Sequence, residues 1–288
     1  MLSSPVIEPG YLFSQHSLGT YRRCKRRFLL KYVDRQPWPC LEDRDPLPYR
    51  QHLERGRIFH HWLARRHLGI DMGPIVHAHE DADLRRWWCA VERFDWDSLP
   101  CGLREAELPV VVPVGEYRLY ARFDLLTLDV GGDAVVVDWK TLERRPAQRT
   151  LRDRMQTRLY LYALVAAGRV LAGGTPVDPD RASMLYWFAN YPEETATVYY
   201  SEAEYCRDGE MLEDLIGEVT NLPRAAFALT EDERQCARCN YATLCHREAA
   251  ARGADAEGAA SASIDAVDWL DEEIDLAIEL EQVQELDY

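Results

Sequence analysis

At 288 residues, with 47% hydrophobic and 29% charged residues, the chain has the composition of a globular protein and enough length for a sizeable core. No apolar run approaches the roughly 20 residues of a membrane span, and Met1 to Gly10 lacks the charged start and apolar segment of a secretory signal, so a cytoplasmic location is expected. The net charge of −15 at first argues against a polyanionic partner.

That charge is unevenly spread. Residues 255–288 hold 12 acids and no Lys or Arg, which leaves 37 acids against 34 bases in the rest, a net of −3. Within this body the bases cluster. Arg22, Arg23, Lys25, Arg26, Arg27, Lys31 and Arg35 form one group, and Lys140, Arg144, Arg145, Arg149, Arg152, Arg154 and Arg158 another. Local basic surface is what phosphate contacts require.

In chain order, Ser17 or Thr20 is expected to cap a helix from about Tyr21 to Val33, with Phe28, Leu29 and Tyr32 on its apolar side and Cys24 among its bases. Gln36 to Pro48 reads as a loop, and a second helix runs from about Tyr49 to His67. On it His60 and His61 lie about 100° apart, so only one can face inward toward a metal. Asp81 to Arg93 reads as a helix whose Trp87 and Trp88 belong to the core. Glu105 to Val114 is strand-like. It carries Glu107, either a further ligand or base-orienting group, or simply a solvated strand residue.

A hairpin follows. Tyr120 to Asp129 and Ala134 to Thr141 are apolar, β-branched runs around Val130-Gly131-Gly132-Asp133. Strand alternation puts Asp138 and Lys140 on one face and Val137 and Trp139 on the other. Asp124 on the neighbouring strand reaches the same end. Two carboxylates and an amine there suit a hard divalent cation and a polarised water, the requirements of phosphodiester hydrolysis. Next, Leu151 to Ala167 reads as one helix with Gln156 and Tyr160 on a shared face. Met184 to Phe188 and Thr195 to Tyr200 read as strands, and Glu202 to Asn221 as a helix.

Cys236-x2-Cys239-x5-Cys245 supplies three thiolates, and Cys24 is the candidate fourth. Spacing alone leaves zinc and an iron–sulfur cluster evenly matched. Cys40, Cys89, Cys101 and Cys206 read as ordinary core or surface cysteines. From Ile264 to Tyr288 the chain is acidic and amphipathic, with Ile264, Val267, Leu270, Ile274 and Ile278 at helical spacing.

Taken together, the motifs resemble the PD-(D/E)XK nuclease superfamily over roughly Ser17 to Cys245. Within it they resemble the RecB-type branch with an iron–sulfur cluster, which includes the AddB C-terminal nuclease and the CRISPR-associated iron–sulfur exonucleases. The N-terminal Cys with its basic, aromatic run matches Cys24 to Phe28, and Gly-x-x-x-His matches Gly56 to His60. The metal Asp is Asp124, the Asp-x-Lys is Asp138 to Lys140, and the Gln-x-x-x-Tyr is Gln156 to Tyr160. Lys25 stands where Pro is frequent, and Ala121 where Gly is usual three residues before the metal Asp.

The resemblance implies an α/β fold with a central mixed sheet flanked by helices. A [4Fe–4S] cluster on Cys24, Cys236, Cys239 and Cys245 would join the N- and C-terminal segments of one domain (1–253), followed by an acidic tail (254–288). His60, Asp124, Asp138 and the Trp139 carbonyl would bind Mg²⁺ or Mn²⁺. Lys140 would orient the attacking water, and Gln156 and Tyr160 would position the substrate backbone. Arg22, Arg26, Arg27, Arg144 and Arg145 are the DNA-binding candidates. The implied activity is DNA hydrolysis from a single-stranded end, with a helicase, recombination or CRISPR integration protein as partner. The second reading is a DNA-binding assembly module of the same fold with little cleavage.

Overall fold

The computed structural model describes residues 6–37, 47–237 and 239–247. The tail expected over 254–288 and Cys40 lie outside the described residues. In chain order the main elements are β1 (Leu12–Ser14), α1 (Gln15–Arg23), α2 (Lys25–Phe28), α3 (Leu47–His67), α4 (Gly73–Ala78) and α5 (Ala82–Glu92). Then come β2 (Leu103–Val114), β3 (Tyr117–Leu128), β4 (Ala134–Lys140), α6 (Gln148–Asp153), α7 (Met155–Ala166), α8 (Gly168–Leu171), β5 (Ala182–Phe188), β6 (Ala196–Tyr199) and α9 (Glu202–Asn221).

The strands form one mixed sheet in the order β1-β3-β4-β5-β6, with β2 also paired to β3. The β2–β3, β3–β4 and β5–β6 pairs are antiparallel, whereas β1–β3 and β4–β5 are parallel. A parallel pair needs a long crossover, and the chain between β4 and β5 supplies it through α6, α7 and α8. Apolar side chains on both faces explain the near-continuous apolar runs of β3, β4 and β5.

On one face, Phe13, Leu18, Tyr21, Phe123, Val136, Leu159, Tyr186 and Leu212 share a core built with α1, α7 and α9. On the other, Phe59, Trp62, Trp87, Trp88, Leu125, Val137, Trp139 and Trp187 share a second core built with α3 and α5. α7 is buried along most of its length, which accounts for its scarcity of charged residues. Trp87 and Trp88 are core residues, as expected, and Asp81 caps α5 through its side chain.

Two expected helices are corrected and one strand is added. The helix expected from Tyr21 to Val33 begins earlier and is broken. Ser14, not Ser17 or Thr20, is its cap, with Ser17 completing a reciprocal capping box. Cys24 then turns to extended backbone (φ −156°, ψ 107°), its sulfur accepting the Arg27 N–H at 3.4 Å as α2 starts. The helix expected from Leu151 to Ala167 is likewise two helices, separated at Arg154 (φ −63°, ψ 142°). Leu12–Ser14, which carried no strand signal, is β1.

Candidate active site

The chemistry-bearing residues gather where the sheet forks. One edge of β3 pairs with β1 over Arg118–Tyr120 and with β4 over Leu125–Leu128, leaving the residues between without a ladder on that side. Asp124 sits at this fork. Its Oδ2 accepts the Trp139 N–H at 2.9 Å, so the carboxylate takes over where the β3–β4 ladder stops. From the far side α3 brings His60, whose Nδ1 lies 3.5 Å from the same oxygen. Burial pushes the Asp124 carboxyl upward in pKa, but His60, the Trp139 N–H and Lys140 together hold it below the ordinary value. The group is therefore poised as an anion.

β4 carries the next pair. Asp138 and Lys140 are both 2% exposed, with Lys140 Nζ 3.0 Å from Asp138 Oδ2. Strand alternation brings them to one face and sends Val137 and Trp139 to the aromatic core on the other, as the sequence implies. Gln156, in the first turn of α7, donates its amide to Asp138 Oδ1 at 2.7 Å. Buried ions persist when their remaining lone pairs are met by donors, and here a cation and an amide share one carboxylate. Gln156 thus reaches the acid directly. After β4, the Asn190 amide brackets the Thr141 and Leu142 carbonyls, and Ala189 N–H donates to the Lys140 carbonyl.

Glu107 enters the same site from β2. The β2–β3 register runs Ala106↔Leu125, then Leu108↔Phe123, and the intervening Glu107 has φ +53°. Non-glycine residues adopt this left-handed conformation at a cost, typically where function demands it. Ligand atoms of His60, Glu107 and Asp124 all lie within 4.8 Å of one another. One imidazole nitrogen and two carboxylate oxygens, with His60 and Asp124 buried and Glu107 partly exposed, form a donor set that fits a hard divalent cation.

The profile of the PD-(D/E)XK nuclease superfamily matches residues 12–246. The chain belongs to this superfamily. PD-(D/E)XK nucleases use divalent metals and act on DNA, and the α/β fold with a mixed sheet flanked by helices agrees with their core. Comparison with curated proteins finds no match. Among solved structures, the crystal structure of SSO0001 is similar at 15% identity, with a TM-score of 0.39, covering 83% of this chain and 87% of that one. A structure from Eubacterium rectale, named as a candidate exonuclease, is similar at 7% identity, with a TM-score of 0.45, covering 72% of this chain and 79% of that one. No described helix is long and apolar enough to cross a membrane.

Elsewhere in this PD-(D/E)XK domain, Cys24, Cys236, Cys239 and Cys245 line one pocket with Arg23, Arg27, Tyr241 and Ala242. The extended backbone at Cys24 is what separates its direction from that of α1. Burial pushes the Cys236 and Cys245 thiols up, Cys245 to about 11, and Cys239 adds to both. Together with Cys24 and Cys239 they put four sulfurs on one pocket wall. The donor set therefore fits a thiolate-held metal group. Cys89, Cys101 and Cys206 are exposed and free.

Placement refines the other candidates. Tyr160 is 4% exposed, its hydroxyl accepting the Gln15 amide at 3.3 Å and its ring packed on Phe123. Gln15 was not singled out in the sequence, although the Ser14-x-x-Ser17 cap marks its turn. Arg22 is exposed, whereas Arg27 is buried against the cysteine pocket and so does not stand on an open phosphate-binding surface. Arg145 is held by the Glu194 and Thr195 carbonyls, and Arg144 is exposed.

Proposed function

We propose that this protein is a metal-dependent deoxyribonuclease that degrades DNA from a single-stranded end. The observation that carries the reading is the buried Asp124–Trp139–Asp138–Lys140–Gln156 network at the fork of the sheet, with His60 beside it. His60, Asp124, Asp138 and the Trp139 carbonyl would hold Mg²⁺ or Mn²⁺. A divalent cation bound there supplies the acidity that makes water a nucleophile near neutral pH and offsets charge gathering on the phosphate. Lys140, fixed by Asp138, holds the attacking water and donates to the phosphate as its charge grows. Gln156 keeps the Asp138 carboxylate in one orientation, and Tyr160, braced by Gln15, fixes the helix that presents Gln156. Arg22, Arg26 and Arg144 would track the strand's backbone.

The four-cysteine pocket supports the finer placement in the RecB-type branch with a [4Fe–4S] cluster, alongside AddB and the CRISPR-associated exonucleases. Four cysteines lining one pocket would suit such a cluster. Its role would be structural, since hydrolysis transfers no electrons. The expected partners are DNA and a helicase, recombination or CRISPR integration protein.

The test is anaerobic purification followed by cleavage of end-labelled single-stranded DNA with Mn²⁺. Wild type should cut, and Asp138→Ala should lose at least about 100-fold in rate, the usual scale for a central electrostatic group. Absorbance near about 400 nm, with iron and sulfide in the preparation, is expected of the cluster; a colourless, zinc-loaded preparation would remove it. A cluster-loaded wild type that binds DNA without cutting would instead indicate the assembly module.

A further inference from the structure

Arg122 is a charged residue buried to 4% exposure, two positions before Asp124, and its role is not explained by the network above. Its Nε lies 3.2 Å from Glu107 Oε2 on the adjoining strand. Its Nη1 is buried and has no hydrogen-bond partner among the described residues. A guanidinium in that position is expensive unless its surroundings require it. Its contact to Glu107 places the guanidinium against an acid of the fork. The cation therefore stands beside the very carboxylates that face His60.

Glu107 is held in an unfavourable backbone conformation at the single point where the β2–β3 register is interrupted. An unconstrained glutamate at an exposed strand position relaxes to φ below zero and extends into solvent. Here the side chain turns toward the fork, leaving one oxygen with Arg122 and the group within ligand distance of His60 and Asp124. With the reading of the site as a cation centre taken as the premise, we infer that Glu107 is a further ligand of the divalent cation and Arg122 the positioning residue that presents it. Arg122 also lowers the net negative charge around the centre.

The experiment measures Mn²⁺ affinity without DNA, by titration calorimetry and by the electron paramagnetic resonance signal of free Mn²⁺, on full-length protein. Asp124→Asn serves as the reference for the premise. Glu107→Gln keeps the shape of the side chain and should weaken Mn²⁺ binding about tenfold or more. Glu107→Asp, which keeps the charge that Arg122 needs but shortens the reach, should weaken it several-fold while remaining folded. Arg122→Gln should weaken it by a similar factor, and Arg122→Lys should restore most of the loss. Unchanged Mn²⁺ affinity in both Glu107 variants, with Asp124→Asn impaired, overturns the ligand role and leaves the cation centre standing. Unchanged affinity in Asp124→Asn overturns the premise instead. If Arg122→Gln lowers only the thermal midpoint, Arg122 is structural and the positioning role is lost.

Discussion

Asp138 shows what one neighbour contributes to a buried acid. Its two oxygens are met by Lys140 and by the Gln156 amide. Gln156→Leu preserves side-chain volume but leaves Oδ1 without its donor, and an unmet buried acceptor costs about 1–3 kcal/mol. We expect a thermal midpoint lowered by several degrees and a kcat lowered about tenfold or more, with KM for DNA changed less. Steady-state cleavage alongside thermal melting checks this; an unchanged kcat would show that Asp138 keeps its orientation without the amide. A different residue controls acid stability. His67, at the end of α3, packs edge-on to Trp96, whose face also carries Arg66. Burial, with Arg66 and Arg104 nearby, lowers its pKa to about 4 from 6.5, and Glu92 acts on the same cluster through Arg66. The folded state thus binds this proton less readily than the unfolded chain. The stability it contributes is present above pH 6.5 and is lost as pH falls toward 4. His67→Gln should therefore lose less stability than wild type between those two pH values, as read from urea midpoints; equal slopes would exclude His67 as the cause.

At the scale of elements, the capping box of α1 holds a segment whose start braces α7 through Gln15 and Tyr160. Ser14→Ala should cost about 1 kcal/mol of stability, measurable by urea denaturation. A change below about 0.3 kcal/mol would mean that β1, not the cap, fixes this end. Much of this level was legible in the sequence. The hairpin of β3 and β4 announces itself through β-branched runs on either side of a Gly-Gly turn, and α5 and α9 read as helices over nearly their observed spans. Asp124, Asp138 and Lys140 could be placed because strand alternation leaves little freedom. The remainder depended on long-range pairing. β1 has only three residues, and its parallel partner lies more than 100 positions on, at Arg118–Tyr120. Cys24 and Arg154 leave the helix without the proline or glycine that usually marks such a break. Glu107 looks like any strand acid until its left-handed backbone turns it to the fork. Arg122 lies inside the first strand of that hairpin but acquires meaning only opposite Glu107.

For the whole molecule, charge is the variable that most separates the body from its end. Removing residues 255–288 would change the formal net charge from −15 to −3, by deleting 12 acids and no bases. Approach to a polyanion depends on this field and on salt. The shortened chain should bind single-stranded DNA several-fold more tightly at low ionic strength and match the full chain above about 0.5 M salt, where the Debye length falls to a few Å. Equal binding at low salt would show that the acidic segment leaves the DNA surface alone. The wall of the cysteine pocket also sets a schedule. Cys24 is made early, whereas Cys236, Cys239 and Cys245 follow more than 200 residues later. At roughly 5–20 residues per second, that interval is on the order of 10–40 s on the ribosome. Throughout it the first thiol waits without the companions that would enclose it, and by the time they arrive the sheet bearing Asp124 and Lys140 has already been synthesised. Until the pocket closes, Cys24 would be as open to oxidation as the exposed Cys89, Cys101 and Cys206 stay throughout, which makes the supply of reductant during synthesis a determinant of how much protein can complete that pocket.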